Sequence, residues 1–407
     1  MKRLVDIVNF NADASCLDAG RWLAALAGGE ESVLFRWLRL YIDLERPIAL
    51  GFSGATAADI AGANPESVAL IRAHPDIFQI IARPFSHDAA LLRSPAGFAA
   101  NFQLGIQALK RIFGRVAPFY LPPEFMLTPD QMLTLADAGI AVTFVNPSRY
   151  TPAQRLRIPN VPYEIRGALG SRLGCVPVDG ELTRCYLRSL DTLSCEPWNA
   201  RLDAITSDTA FAWRDGESSF MFPHGLDREA RWLRDETARV RCHLESHALL
   251  PVEAPVQADA YRSYPVHSLS AWMKEFRMMG YVRRVWETEQ ALHDMDATDA
   301  GLWLQSITSD VLSSVEKEDV QKCYVHPDHP GLSFSGILLR SERSAEGSDF
   351  LLLLERRLRG EDSSYLRSAD EPHFVKTRYR IALLEELFGG RRCGEVVNAK
   401  QPAPLDC

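Results

Sequence analysis

Apolar residues come in short runs separated by stretches of helical spacing. Residues 3 to 10 form the first run, break at Asn11-Ala12-Asp13, and give way to a helical pattern from Cys16 to Ala27 and another from Ser32 to Asp43. A second run, Pro47 to Ser53, leads into helices near Ala55–Ala61 and Pro65–Ala73. A third, Ile77 to Ala82, ends in the polar break Arg83-Pro84-Phe85-Ser86-His87-Asp88, after which apolar positions recur at helical spacing from Ser94 to Phe113. The fourth closes on Phe119-Tyr120-Leu121-Pro122-Pro123-Glu124, and Ala141–Val145 is the clearest strand of all. Alternating strands and helices predict a parallel α/β core with crossover helices, and strands ending in polar or proline-marked residues point to a barrel.

Beyond residue 150 the texture changes. Asp179-Gly180 and Asp215-Gly216 each stand between strand-like runs and read as hairpin turns. A strand Phe220–Phe222 meets Pro223-His224-Gly225, a charged helix is expected from Asp227 to His243, and residues 251 to 265 read as a linker. Helical patterns follow at Ser268–Leu292 and Ala300–Ser314, then two expected strands (Leu332–Leu339, Phe350–Leu354) and a helix (Lys376–Phe388). The expected organisation is a barrel over 1–250 with hairpin insertions at about 170–220, a helical region over 251–330 that completes the site, and a small β-containing segment over 331–407.

Composition narrows the function classes. With 46% hydrophobic and 24% charged residues the chain reads as an ordinary soluble globular protein, and a net charge of -8 gives no reason to expect nucleic acid as a partner. The Arg-rich stretch Arg228 to Arg241 alternates with acids and reads as a solvated helix face. The first apolar run is too short for a signal peptide or membrane span, so a cytoplasmic location without membrane partners is expected. Eight cysteines are scattered without a Cys-x-x-Cys pair, which indicates neither a zinc ribbon nor a disulfide scaffold.

Glu124 is the foremost chemical candidate. Two prolines end the strand before it, and Thr128-Pro129 already supplies a cap for the next helix, so an acid at the strand's C-terminal mouth is a catalytic candidate. Three further polar clusters follow expected strands: Asn9/Asn11/Asp13, Arg83/Ser86/His87/Asp88 and His224/Asp227.

These motifs resemble those of glycoside hydrolase family 57, whose incomplete (β/α) barrel is related to the polysaccharide deacetylase fold. His87 looks like the family's second motif, Tyr120-Leu121-Pro122-Pro123-Glu124 like its third, and Trp303-Leu304-Gln305 with Ser309-Asp310 like the helical-domain motif that reaches over the substrate. The resemblance implies an incomplete (β/α)7-type barrel with a C-terminal helical region, and an enzyme acting on an α-linked sugar or glycan without a cofactor. Glu124 would be the nucleophile, and Asn9, Asn11, Asp13, Arg83, His87, Asp88, Trp303, Gln305 and Asp310 would bind substrate.

The sequence also departs from the family. Asn9, Asn11 and Asp13 stand where the first motif has a histidine, Arg83 stands where the second has another, and the aspartate acid of the fourth motif is missing from Phe222-Pro223-His224-Gly225. His224, Asp227 or Asp215 is left to supply that acid, and His224 and Asp227 are the residues we assign. Metal-dependent deacetylation of an amino sugar is the alternative, with Asp13 and His87 as ligands, although Arg83 occupies the third ligand's place and a guanidinium cannot ligate. A barrel that binds a sugar or metabolite without hydrolysing it is a further alternative.

Overall fold

The apolar runs become the strands of one sheet. The computed structural model describes residues 3–10, 12, 19–147, 162–166, 172–216, 225–236, 240–244, 256–257, 276–308, 324–325, 333–334, 350–361 and 372–399. Its main strands are β1 (Arg3–Phe10), β2 (Ile48–Phe52), β3 (Phe78–Ala82), β4 (Ala117–Tyr120), β5 (Val142–Val145), β6 (Tyr163–Arg166), β7 (Arg172–Pro177), β8 (Thr209–Asp215), β9 (Val240–Arg241) and β10 (Val256–Gln257). Helices are α1 (Ala19–Leu26), α2 (Val33–Asp43), α3 (Gly54–Ala63), α4 (Pro65–Ala73), α5 (Pro95–Phe113), α6 (Pro129–Asp137), α7 (Gly180–Thr192), α8 (Glu196–Ala204), α9 (Gly225–Asp235), α10 (Phe276–Glu289), α11 (Ala297–Ser306), α12 (Phe350–Leu358), α13 (Pro372–Phe388) and α14 (Cys393–Val397).

Strands run in the order β7-β5-β4-β3-β2-β1-β8, each pairing parallel with its neighbours. This is the incomplete seven-stranded barrel expected from the sequence. Its seam lies between β7 and β8, where the Asp179 amide donates to the Phe211 carbonyl at 2.9 Å and the Thr183 hydroxyl donates to the Trp213 carbonyl. Alternation along the strands builds two cores. Val5, Ile7, Ala49, Ile81, Phe119, Val142, Val176 and Phe211 fill the interior, while Leu4, Val8, Phe10, Leu50, Phe52 and Ile80 face the helices.

Asp6 is the exception on the helix-facing side. Its carboxylate is bound by Arg214 at 3.1 Å and Arg241 at 2.6 Å, and Arg214 also holds Glu229 at 2.9 Å. Burial works to raise the Asp6 carboxyl, but the two guanidinium groups outweigh it and hold it below the usual carboxylate range. Arg241 explains why the charged helix stops early. The expected helix to His243 ends at Asp235, and the chain returns as β9 beside β1, with Arg241 opposite Leu4.

Three other expectations are corrected. Asp179 does not turn a hairpin: its side chain accepts from the amides of Glu181 and Leu182 as the N-cap of α7. Asp215 ends β8, a strand parallel to β1, and the antiparallel ribbon here is β6 with β7. Phe350–Leu354 is helical, since Phe350, Leu351, Leu353 and Leu354 are buried at helical spacing, and an unbroken leucine run fits either period. The expected strand Phe220–Phe222 lies outside the described residues, as does most of the linker. No described helix is long and apolar enough to cross a membrane.

Candidate active site

Glu124 sits in a turn that its neighbours force. Pro122 leads in from β4, and both Glu124 and Phe125 adopt left-handed backbone, with φ of 53° and 55°. Residues other than glycine meet a steric penalty there, and such strain concentrates at functional positions. Capping does not account for the glutamate, because Thr128 and Gln131 form a reciprocal capping box at the start of α6.

The loop after β3 brings His87 and Arg83 to Glu124. His87 Nε2 stands 3.4 Å from Glu124 Oε1, with side-chain exposures of 4% and 24%. Arg83, itself buried, places Nη2 2.6 Å from His87 Nδ1 and donates through Nη1 to the Leu121 carbonyl at 3.3 Å. This loop is clamped by helices: the amides of Gly54 and Ala55 at the start of α3 bond the carbonyls of Pro84 and Phe85. At Gly105 of α5 a Cβ would lie 2.3 Å from the Arg83 carbonyl oxygen, so only glycine allows this approach.

Opposite stands Asp215, at the end of β8. Asn9 Nδ2, from the end of β1, donates to Asp215 Oδ1 at 2.9 Å, and the two residues are register partners. Burial raises the Asp215 carboxyl, the Asn9 bond partly offsets this, and the negative charge of Glu124 raises it further. Phe125 and Trp213 pack edge to face at 5.2 Å, which joins the turn carrying Glu124 to the strand carrying Asp215. Two carboxyl groups from opposite sides of the barrel thus share one site, with an imidazole beside one and an amide on the other.

Asp215 was visible in the sequence only through parity. Phe211, Trp213 and Asp215 alternate with Ala212 and Arg214, which places the acid on the interior face, but the following glycine suggested a turn. Asp227, assigned in its place, is exposed on the first turn of α9, and His224 lies outside the described residues. Asn11, Asp13 and Asp310 also lie outside them.

Other candidates are held by partners of their own. Arg83 is committed to His87 and Leu121 rather than open to an anionic ligand. Asp88 is buried, its backbone bridges Thr308, and burial pushes its carboxyl up to about 6 despite the opposing charge of Arg93. Trp303 and Gln305 lie inside the helical layer, where Gln305 Oε1 accepts from Arg380 Nη1 at 2.6 Å. As a metal ligand His87 would have to exchange partners, since one ring nitrogen meets Arg83 and the other faces Glu124.

No family model and no curated protein matches the sequence. Among solved structures, the whole chain (100%) matches 98% of a family 57 branching enzyme from Thermococcus kodakaraensis, determined with glucose and additives, at a TM-score of 0.60 and 10% identity. It matches an α-amylase from Thermotoga maritima over 98% of this chain and 100% of that one, at a TM-score of 0.56 and 8% identity. A 4-α-glucanotransferase from Thermococcus litoralis matches over 76% of this chain at a TM-score of 0.58 and 15% identity, and the chain spans 56% of its length. What these likenesses share with the chain is the fold, an incomplete (β/α)7-type barrel with a C-terminal helical region.

Proposed function

We propose that the chain is a carbohydrate-active enzyme that cleaves or transfers α-linked glycans with retention, Glu124 acting as nucleophile and Asp215 as general acid and base. The observation that carries this reading is the pair of carboxyls at the ends of β4 and β8, one beside an imidazole and the other raised by burial and by its partner's charge. A retaining enzyme needs this asymmetry, with one carboxylate to attack and one carboxylic acid to protonate the leaving oxygen. The Asn9 amide donates to Asp215 Oδ1, so the proton belongs on Oδ2, the oxygen left for the leaving group. Glu124 attacks the anomeric carbon as the glycosidic C–O bond breaks and the Asp215 proton passes to the departing oxygen. Asp215, now a base, takes a proton from water or an acceptor hydroxyl, which displaces Glu124. The names of the fold neighbours, a branching enzyme, an amylase and a 4-α-glucanotransferase, make α-glucans the substrates to try first.

The test is turnover of α-1,4-linked glucan oligosaccharides, followed by product length. Glu124→Gln and Asp215→Asn should each lower kcat by about 10³-fold with folding retained. Azide should rescue Asp215→Ala on a substrate with an activated leaving group, giving a glycosyl azide of retained configuration. The raised Asp215 pKa also sets a direction: this acid keeps its proton to higher pH than an exposed aspartate, so the alkaline limb of the pH profile lies higher. Parental turnover in Glu124→Gln would end the proposal.

A further inference from the structure

A guanidinium has five N–H donors and no acceptor. Arg83 Nη2 lies 2.6 Å from His87 Nδ1, so that ring nitrogen must offer its lone pair. A neutral imidazole has one N–H, which then sits on Nε2, the nitrogen 3.4 Å from Glu124 Oε1. The opposite tautomer would set an N–H against an N–H at one end and a lone pair against a carboxylate oxygen at the other. We infer that Arg83 is a positioning residue that holds His87 in the Nε2–H form, so that the ring presents an N–H rather than a lone pair on the side where Glu124 stands.

This inference rests on the reading of Glu124 as nucleophile. It accounts for an arginine that is buried yet close to reacting groups, and it involves no net proton transfer, because His87 keeps its proton throughout. The same guanidinium also bonds the Leu121 carbonyl, three residues before Glu124, so one group orients the ring and the strand end that carries its target. Gly105 lets α5 press on the Arg83 carbonyl, which fixes the arginine from behind.

The experiment is long-range ¹H–¹⁵N correlation of the histidine rings in the full chain, recorded at alkaline pH on neutral imidazoles. The chain has 10 histidines, so His87→Gln supplies the assignment. The expected result is an unprotonated Nδ1 and a protonated Nε2 at His87, and a protonated Nδ1 would overturn the inference whatever the activity. In Arg83→Met both tautomers should appear and kcat should fall about tenfold with KM changed far less, while Arg83→Lys, which keeps a donor, should recover part of both. A single unchanged tautomer with parental kcat in Arg83→Met would likewise overturn it. Should that variant fail to fold, the parental spectrum alone decides. Activity surviving in Glu124→Gln would remove the nucleophile while leaving the tautomer result standing, so the two failures are separable.

Discussion

At the scale of single residues, Asp88 shows what burial does to a conspicuous polar side chain. Its folded-state pKa of about 6 lies above the ordinary 3.8, so the folded protein binds more protons than the unfolded chain between those values. Stability from this group is therefore full at low pH and declines by on the order of 3 kcal/mol as pH rises through that window. Urea unfolding at pH 4 and pH 7 should show that decline in the parent and a smaller one in Asp88→Asn, and equal declines would refute the assignment. Sequence alone did not separate Asp88 from His87, because a polar break after a strand shows neither which side chain turns inward nor which is covered by a later helix. Glu124 was legible because two prolines constrain its local backbone, whereas Asp215 was obscured by a glycine whose turn-forming use is equally common.

At the scale of elements, α13 ties the end of the chain to the mouth of the barrel. Lys376 Nζ donates to the Ala12 carbonyl at 2.7 Å, and Arg380 donates to the same carbonyl at 3.1 Å and to Asp59 of α3 at 2.9 and 2.8 Å. Ala12 follows the strand that carries Asn9, so the last long helix braces the first polar cluster. Arg380→Met would leave Asp59 buried with its main partner removed, a loss of about 3–5 kcal/mol. A loss of less than about 1 kcal/mol, taken from the urea midpoint and slope, would show that Lys376 suffices. No local pattern announces this contact, since it joins residues more than 300 positions apart. The helix itself was legible from its spacing, but its partner was not, and the tail's leucine run was assigned the wrong period for want of polar residues to break the tie.

At the scale of the molecule, the strand order was foreseeable in outline because a parallel sheet with crossover helices has few ways to form. The seam was not, because closure depends on how far β7 and β8 diverge and no residue records that distance. Strands β1 to β5 are laddered on both edges, while β8 has β1 on one side and, among the described residues, the Asp179 and Thr183 bonds on the other. Local opening should follow that difference. Hydrogen exchange at the Asp179 amide should be at least about 100-fold faster than at Ile7 or Leu50, and equal protection would mean that the barrel is effectively closed.

The two carboxyls of the proposed mechanism lie on the unbroken arc β4-β3-β2-β1-β8, whose last strand forms one lip of the gap. A bulky or branched chain entering through that gap would spread the wall at its free margin, as a split ring widens under load. Asp215 stands on that margin and Glu124 well inside the arc, so spreading β8 would move the proposed proton donor away from the proposed attacker, and this architecture couples girth to reaction distance.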